Sequence, residues 1–219
     1  MKTVLCYGDS ITWGFKPEDG TRYAYEERWT GVLQAKLGPG YRVIEEGLPG
    51  RTTCWDSPYL ADRNGKASLP LVLETHAPID IFVLMLGTND LWTRFGFSAQ
   101  DIAASCMSLA WTALRSMCGP GAGAPEIVLV APPHLGALSP YMGLFFSGRQ
   151  TESKKLGREL EKIAELLGCR FLDAAGVVKP SKADGVHLDA GANRKLAAAV
   201  AAAISGKPAG AEKPARKRN

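Results

Sequence analysis

The stretch "DIFVLML", residues Asp80 to Leu86, indicates most clearly how this chain folds. Every residue after Asp80 is apolar, and the run lacks the alternation of apolar and polar residues that marks a half-buried strand. Continuous apolar runs of this length are typical of strands buried on both faces, as in parallel sheets covered by helices. The stretch therefore predicts a buried strand of a parallel sheet.

Similar runs recur on both sides of this stretch. They are "KTVLCY" (Lys2 to Tyr7), "YRVIEE" (Tyr41 to Glu46), "EIVLVA" (Glu126 to Ala131) and "CRFLDA" (Cys169 to Ala174). Helix-length segments alternate with them, at about residues 28–37, 67–76, 98–117, 150–167 and 189–204. In the third of these, Ser98 followed by Asp101 is a helix-start signal. The alternation predicts an α/β fold with a five-stranded parallel sheet flanked by helices.

The chain length and charge distribution predict one domain and a basic tail. A chain of 219 residues with 46% hydrophobic content suits a single domain, which we place at residues 1–205. Residues 206–219 hold five Lys or Arg and one Glu, so they account for the whole formal charge of +4. Their Pro, Ala, Gly and basic composition predicts a disordered tail. The neutral body argues against a nucleic-acid partner; binding through the tail is the alternative.

Further features bear on membranes, metals and compartment. No apolar run is long enough to cross a bilayer, and the chain passes from Met1 and Lys2 directly into a strand pattern. The five cysteines are odd in number and lack the spacing of a metal site. We therefore expect a cytoplasmic protein with no membrane partner, no metal and no cofactor.

Groups that could take part in catalysis follow four of the five predicted strands. In parallel sheets of this kind, ligands bind at the carboxyl ends of the strands. The residues are Ser10 in "CYGDSITWG", Gly50 in "GLPGRTT", Asn89 in "GTND", and Asp184 with His187 in "DGVHL". Their joint placement at one edge of the sheet predicts a site for acyl transfer.

A serine nucleophile needs a general base, and a histidine serves best when a carboxylate orients its ring. His187 has Asp184 three residues before it, which makes this pair the expected base and orienting acid for Ser10. His76 precedes the third strand, on the opposite edge of the sheet. His134 follows a strand and stays open as a weaker alternative.

The same reaction needs hydrogen-bond donors for the oxyanion of its tetrahedral intermediate. The backbone N–H groups of Ser10 and Gly50 and the side-chain amide of Asn89 are the candidates. Each motif alone is also compatible with ordinary turn chemistry, with Asp189 as a helix cap after His187. A non-catalytic module that binds an anion at glycine-rich strand ends is the alternative from another class. Such a module would not need the acid and the histidine beside the amide.

The four motifs together resemble a known family. "GDSITWG", "GLPGRTT", "MLGTND" and "DGVHL" resemble, in order, the four blocks of the SGNH hydrolases, also called the GDSL esterase/lipase family. The resemblance implies a flavodoxin-like three-layer α/β/α sandwich. It also implies a serine esterase with Ser10, His187 and Asp184 as the triad.

The resemblance also implies an oxyanion hole formed by Ser10, Gly50 and Asn89. Two glycines occur in the second block, "EEGLPG". Gly50 is the expected member of the hole because it stands just before the "RTT" turn, and Gly47 is the alternative.

The stretches "RWTGVLQAKLG", "VIEEGL" and "MLGTND" are similar to the bacterial arylesterase/acyltransferase subgroup, sometimes called perhydrolases. This similarity implies hydrolysis of short-chain aryl or acetyl esters, with acyl transfer to alcohols or peroxide. It further implies a hydrophobic cleft in a homo-oligomer, with a small ester as the substrate. The alternative activity is that of a carbohydrate, acetylxylan-type O-deacetylase.

Aromatic residues in the loops at the active edge suggest how the substrate is bound. Trp13 and Trp92 are the expected substrate-binding residues, and Phe15 and Trp55 lie in or beside the same loops. The apolar stretch "PYMGLFFSG", Pro140 to Gly148, follows the fourth strand. It is expected either to contact a second copy of the chain beside the cleft or to form part of the core or a helix face.

Overall fold

The computed structural model describes residues 1–206, in which five strands form one parallel sheet. The strands are β1 (Lys2–Gly8), β2 (Tyr41–Gly47), β3 (Ile81–Met85), β4 (Glu126–Ala131) and β5 (Arg170–Asp173). Their order across the sheet is β2-β1-β3-β4-β5, the flavodoxin-like order. The five-stranded parallel sheet is therefore confirmed. The predicted basic tail, apart from Gly206, lies outside the described residues.

Seven α-helices in the described part of the chain accompany the sheet. They are α1 (Ser10–Trp13), α2 (Trp29–Leu37), α3 (Gly65–His76), α4 (Ala99–Leu114), α5 (Pro140–Phe146), α6 (Gln150–Leu167) and α7 (Ala190–Ser205). Ser98 and Asp101 form the predicted capping box of α4. This helix ends before its predicted limit because Met117 has a positive φ of 58°, which an α-helix cannot contain.

Alternate residues of the central strands point into two separate hydrophobic cores. Phe82 and Leu84 of β3 belong to the core under α3, α4 and α6, together with Leu69, Leu109 and Leu160. Ile81 and Val83 belong to the opposite core under α2 and α7, together with Trp29, Leu33, Leu196 and Val200. Successive side chains of a strand alternate between its faces, so an apolar strand supplies both cores. The molecule is thus the predicted three-layer α/β/α sandwich.

The two edge strands are less buried than the sequence pattern predicts. All residues of β3 are buried, whereas β2 and β5 are only partly buried. The prediction of burial on both faces is therefore wrong for β2 and β5, because an edge strand has a neighbour on one side only. On β2, Glu45 accepts hydrogen bonds from Arg28 and Thr30, and Glu46 contacts His76 Nε2 at 2.8 Å.

The strand order creates the crevice in which the predicted residues meet. In the sheet, β2 lies on one side of β1 and β3 lies on the other. The connection that follows β1 therefore runs to one side of the sheet, and the connection that follows β3 runs to the other. Ligand sites in open parallel sheets lie at such a switch point. The segment after β5 is also held at this edge: Ser139 N–H donates to Asp184 O at 3.1 Å, and Gly136 N–H donates to Gly185 O at 2.7 Å.

Candidate active site

Ser10 is the first residue of α1 and comes two residues after the end of β1. Asp9 caps the helix, and its Oδ1 accepts a hydrogen bond from the Ile11 N–H at 2.9 Å. Such a cap fixes the direction in which the chain leaves the strand. Ser10 is only 7% exposed, and it lines a cavity of the described structure. The turn expected at Gly-Asp-Ser is thus a helix start that presents a serine to a cavity.

Asp184 and His187 form a hydrogen-bonded chain that ends at Ser10. His187 Nε2 lies 2.8 Å from Ser10 Oγ, and His187 Nδ1 lies 2.5 Å from Asp184 Oδ2. The other carboxylate oxygen, Asp184 Oδ1, accepts hydrogen bonds from the N–H groups of Val186 and His187 at 2.8 and 2.9 Å. These two backbone bonds fix the carboxylate relative to the histidine ring that follows it.

The environment of Asp184 favours its ionised form. Burial opposes ionisation, but the hydrogen bond and the charge of His187 and the two backbone N–H groups together lower the Asp184 pKa below its ordinary value. An ionised carboxylate can only accept hydrogen bonds, so His187 Nδ1 is the donor in this pair. A neutral His187 then carries no proton on Nε2, and this nitrogen can accept the hydroxyl proton of Ser10.

Phe15 holds the histidine ring from one side. Its ring centroid lies 4.1 Å from that of His187, with 26° between the ring planes. Stacking of this kind limits rotation of the imidazole, which already bonds to Asp184 and Ser10 at its two nitrogens. In the sequence, Phe15 is recognisable only as an aromatic residue in a loop at the active edge. Its contact with a residue 172 positions later is not encoded in any local pattern.

Gly50 lies at the cavity, whereas Gly47 packs against the backbone of α1. Gly50 has a φ of +80° and lines the cavity together with Ser10. A Cβ added to Gly47 would lie 2.1 Å from the Trp13 backbone nitrogen and 2.5 Å from the carbonyl carbon of Thr12. Gly47 is therefore the glycine that allows close approach of β2 and α1. The Gly50 N–H, in contrast, has no hydrogen-bond partner among residues 1–206.

Asn89 completes the polar side of the cavity. It begins a short 3₁₀ turn after β3, is buried, and lines the cavity with Ser10 and Gly50. One hydrogen of its amide nitrogen, Nδ2, is donated to Arg51 O at 3.0 Å. An amide nitrogen carries two hydrogens, so the second one is left for a ligand. The structure thus brings together all three residues predicted for the oxyanion hole.

Two buried carboxyl groups lie behind these donors. Asp90 is fully buried and accepts hydrogen bonds from the Thr53 N–H at 3.0 Å and from the Thr53 hydroxyl. Burial raises the pKa of Asp90 to about 7, against the lowering effect of these bonds. Burial also raises the pKa of Asp9. Neither acid is among the residues that the sequence predicts for the site.

The cavity is about 510 Å³ in volume, a size that accommodates a small organic ligand. The polar residues that line it are Ser10, Asn89, His187 and Arg63, and Arg63 lies beside Gly50. The rest of the lining is mainly apolar or aromatic and comprises Phe15, Pro49, Tyr59, Leu60, Trp92, Tyr141, Met142, Phe145, Phe146 and Val186. The site is therefore a serine hydroxyl beside a histidine in a mainly apolar cleft.

Of the two predicted substrate-binding tryptophans, one lines the cavity. Trp92 lies in its wall, packed 5.2 Å from Phe145 between ring centroids, and its buried Nε1 has no partner within residues 1–206. Trp13 is not among the lining residues of the described structure. Its ring lies under the guanidinium of Arg22, at 5.0 Å, and its carbonyl accepts a hydrogen bond from Arg22 Nε. Phe15, two residues later, lines the cavity instead.

Three other residues of the sequence analysis, His76, His134 and Trp55, are not among the residues that line the cavity. His76 contacts Glu46 near the end of α3, and His134 is not among the cavity residues. Trp55 stacks on Phe97 with 4.4 Å between centroids, outside the cavity lining. The stretch from Pro140 forms helix α5, which is capped by the Ser139 hydroxyl. Several of its side chains form a wall of the cavity.

Within residues 1–206, no group of three or more His, Cys, Asp or Glu side chains is arranged to hold a metal ion. No helix in this part of the chain is both long and apolar enough to span a membrane.

The fold and the four motif-bearing strand ends have the arrangement of the SGNH family. Residues 6–195 match the GDSL-like lipase/acylhydrolase family. The chain belongs to this family, and the resemblance seen in the sequence is confirmed.

Solved structures with the same fold include esterases of two kinds. A carbohydrate acetylesterase from Sinorhizobium meliloti is 38% identical, with a TM-score of 0.91 over 94% of this chain and 99% of that protein. An aryl esterase from M. smegmatis is 39% identical, with a TM-score of 0.90 over the same shares of the two chains. Among curated proteins, an acetylxylan esterase from Xylanibacter ruminicola is 29% identical over 220 residues. The match covers 92% of this chain but only 42% of that relative, so the chain spans less than half its length.

Proposed function

We propose that this protein is a serine esterase that hydrolyses short-chain aryl or acetyl esters through a covalent acyl-enzyme. The observation that carries the proposal is the hydrogen-bonded chain from Asp184 through His187 to Ser10, which ends in a cavity lined by Gly50 and Asn89. A nucleophile, a base, an orienting acid and oxyanion donors are the four parts that acyl transfer requires.

In the first step, Ser10 Oγ attacks the carbonyl carbon of the ester while His187 Nε2 takes the hydroxyl proton. The carbonyl oxygen becomes an oxyanion, which accepts hydrogen bonds from the N–H groups of Ser10 and Gly50 and from Asn89 Nδ2. Asp184 stabilises the positive imidazolium formed at this stage. The ester C–O bond then breaks, and the alcohol leaves with the proton from His187.

In the second step, water attacks the acyl group on Ser10 and gives a proton to His187. The same donors hold the second oxyanion. When the bond to Ser10 Oγ breaks, the proton returns from His187 to Ser10, and the carboxylic acid is released. An alcohol or peroxide that takes the place of water would give a new ester or a peracid. The apolar walls of the cavity favour such acyl transfer, because they limit the access of water to the acyl-enzyme.

The cavity wall supports a preference for small, apolar acyl or aryl groups. Phe145 and Phe146 both pack against Trp92, and the three rings line the cavity that contains Ser10. We assign Trp92 to substrate binding for this reason.

A second candidate is O-deacetylation of an acetylated carbohydrate. It is favoured by the similarity to a carbohydrate acetylesterase and to an acetylxylan esterase. The chemistry at Ser10 would be the same, and the two candidates differ in the alcohol that leaves. The exposed Tyr59 and Tyr141 at the cavity lining are aromatic surfaces of the type on which a sugar ring can pack.

We further propose that the cavity mouth contacts a second copy of the chain. Leu144 on α5 is 75% exposed and lies one helical turn from the exposed Tyr141, which lines the cavity together with the exposed Tyr59 and Leu60. Large exposed apolar patches commonly mark contacts between proteins, and most oligomers of identical chains are symmetric. Light scattering after size exclusion should give an oligomer for the wild type and a smaller species for Leu144→Glu. A monomeric wild type at micromolar concentration would contradict this proposal.

The function is tested with purified wild-type protein and Ser10→Ala. A fluorophosphonate should add its mass to Ser10 in the wild type, and the variant should show neither the adduct nor ester turnover. A series of 4-nitrophenyl esters from acetate to octanoate, compared with acetylated xylan, distinguishes the two candidate substrates. Normal turnover by Ser10→Ala would refute the serine mechanism.

A further inference from the structure

The Gly50 N–H belongs to a turn whose central peptide can adopt two orientations. The turn comprises Leu48 to Arg51, and the Arg51 N–H donates to Leu48 O at 3.0 Å. Pro49 is its second residue, and Gly50, the third, has a φ of +80°. A proline followed by a residue with positive φ defines a type II turn.

Type I and type II turns differ mainly by a rotation of the central peptide through about 180°. In this turn, that peptide consists of Pro49 C=O and Gly50 N–H. The peptide is planar and trans, so its carbonyl and N–H point in opposite directions. Glycine as the third residue permits both orientations, because it has no Cβ to exclude either. A rotated peptide would exchange the places of the N–H donor and the carbonyl oxygen.

Arg63 binds the carbonyl of this peptide. Its Nε donates to Pro49 O at 2.7 Å, although 14 residues separate the two in the chain. The arginine side chain also covers Gly50, since a Cβ built there would lie 3.6 Å from Arg63 Cδ and Nε.

The arginine is itself held at both ends. Its Nη1 donates to Ala61 O at 2.6 Å. Its backbone carbonyl accepts from the Thr52 N–H at 2.9 Å and from the Thr52 hydroxyl at 3.1 Å. Thr52 follows the turn by one residue, so Arg63 and the turn are connected through both backbone and side chain.

We propose that Arg63 is a positioning residue for the oxyanion hole. By holding Pro49 O it keeps the central peptide of the turn in the type II orientation, which leaves the Gly50 N–H available to the oxyanion. Arg63 acts on the reaction through Gly50 and not by contact with the reacting atoms. The inference rests on the proposed esterase function, and it goes beyond it by naming a residue outside the four family motifs.

Two substitutions separate the hydrogen bond from the charge and the bulk of Arg63. In Arg63→Gln, the amide nitrogen occupies nearly the place of the arginine Nε and can donate to Pro49 O without a charge. In Arg63→Met, a methyl group occupies this place and cannot donate. Both variants keep an unbranched side chain over Gly50. We would measure kcat and KM for 4-nitrophenyl acetate, with thermal unfolding as a check of folding.

Arg63→Met is expected to lower kcat about 10- to 100-fold with little change in KM, because a misplaced oxyanion donor acts mainly on the transition state. Arg63→Gln is expected to keep kcat within a few-fold of the wild type. Equal losses in both variants would overturn the proposal, as they would assign the effect to the charge. Wild-type kcat in Arg63→Met would overturn it as well.

The same assays distinguish failure of this inference from failure of the esterase assignment. If wild-type turnover disappears in Ser10→Ala but is unaffected in Arg63→Met, the inference about Arg63 alone is wrong. If the wild type has no turnover that depends on Ser10, the esterase assignment is wrong. In Arg63→Met, a rise in KM at constant kcat would mean that Arg63 binds substrate directly, which would also contradict the positioning role.

Discussion

His187 Nε2 lies 2.8 Å from Ser10 Oγ, although 177 residues separate the two in the chain. His187 lies in the segment that follows β5, and Ser10 lies in the segment that follows β1. Both segments begin at the same edge of the sheet because all five strands are parallel. The segment that carries His187 is fixed further by the backbone bonds from Gly136 and Ser139. The distance therefore depends on the packing of three loops and not on one motif.

Replacement of Asp184 by Asn should test the role of the acid. An Asn side chain can donate to His187 Nδ1, which would place the ring proton on Nε2 and prevent this nitrogen from accepting the Ser10 proton. We expect kcat to fall by about 10³- to 10⁴-fold, as in other serine enzymes of this type. Asp189→Asn is the matched control, because Asp189 caps α7 through the Ala192 N–H and Asn caps helices equally well. Retention of a tenth of the wild-type kcat in Asp184→Asn would contradict the assignment.

The free energy of unfolding should depend on pH through Asp90. Its pKa is about 7 in the folded protein and close to the ordinary value of 3.8 in the unfolded chain. The folded state therefore binds this proton more tightly than the unfolded chain does. The tighter binding stabilises the folded state fully below about pH 4, and this stabilisation is lost as the pH rises toward 7. The loss cannot exceed about 1.4 kcal/mol per pH unit for one group.

Chemical denaturation of the wild type and Asp90→Asn between pH 4.5 and 7.5 measures this effect. The difference in unfolding free energy should shift in favour of the variant as the pH rises, because Asn does not titrate. Asp101→Asn is the control: hydrogen bonds from Ser98 lower the Asp101 pKa, so its contribution is lost only below about pH 4, and its difference from the wild type should stay constant between pH 4.5 and 7.5. A difference between the wild type and Asp90→Asn that stays constant with pH would argue against a raised pKa.

Substitution of the two glycines by alanine should have different effects. In Gly47→Ala, the new Cβ meets backbone atoms of Thr12 and Trp13 at 2.1 to 2.6 Å, which only a shift of α1 could relieve. In Gly50→Ala, the nearest atom is Leu60 Cδ1 at 3.1 Å, in a side chain that can move. Gly50→Ala destabilises the folded state mainly because alanine disfavours a positive φ, by about 1–2 kcal/mol.

Unfolding midpoints and the yield of folded protein distinguish these cases. Gly50→Ala should remain folded with a lower kcat, whereas Gly47→Ala should be strongly destabilised. If Gly47→Ala folded normally and lost its turnover while Gly50→Ala kept full activity, Gly47 would be the better candidate for the oxyanion hole.

The preference for acyl chain length should depend on Trp92 and not on Trp13. Trp92→Phe removes part of the cavity wall and the indole N–H, so longer acyl groups should fit better. We expect the ratio of kcat/KM for 4-nitrophenyl butyrate over acetate to rise about tenfold, the scale of one or two methylene groups in an apolar pocket. Trp13→Phe serves as the control, since its ring packs against Arg22. A larger shift in Trp13→Phe than in Trp92→Phe would show that the cavity wall is assigned incorrectly.

The main features of the fold could be predicted from the sequence because each depends on local composition. The apolar runs predict the strands, and start signals such as Ser98 with Asp101 predict helix α4. The sequence could not show that β2 and β5 are edge strands, because strand order depends on where each crossover helix packs. The partners of Glu45 and Glu46 follow from that order.

The walls of the site were harder to predict than its polar residues. Phe15, Arg63 and Phe145 come from three separate loops or helices and meet only after these pack together. Trp13 and Phe15 are two residues apart and equally aromatic, so no sequence pattern indicates which of them lines the cavity. The turn after α1 decides this by directing Trp13 toward Arg22 and Phe15 toward His187.

The sequence by itself determined the class of fold and the identity of the polar residues in the site. Strand runs and the motifs around Ser10, Asn89 and His187 are short, so a few neighbouring residues contain their information. Only the tertiary structure decided which glycine borders the cavity, which aromatic residues enclose it, and that Arg63 binds the Pro49 carbonyl. These features are contacts between distant segments, and their distances follow from how the helices and loops pack on the sheet.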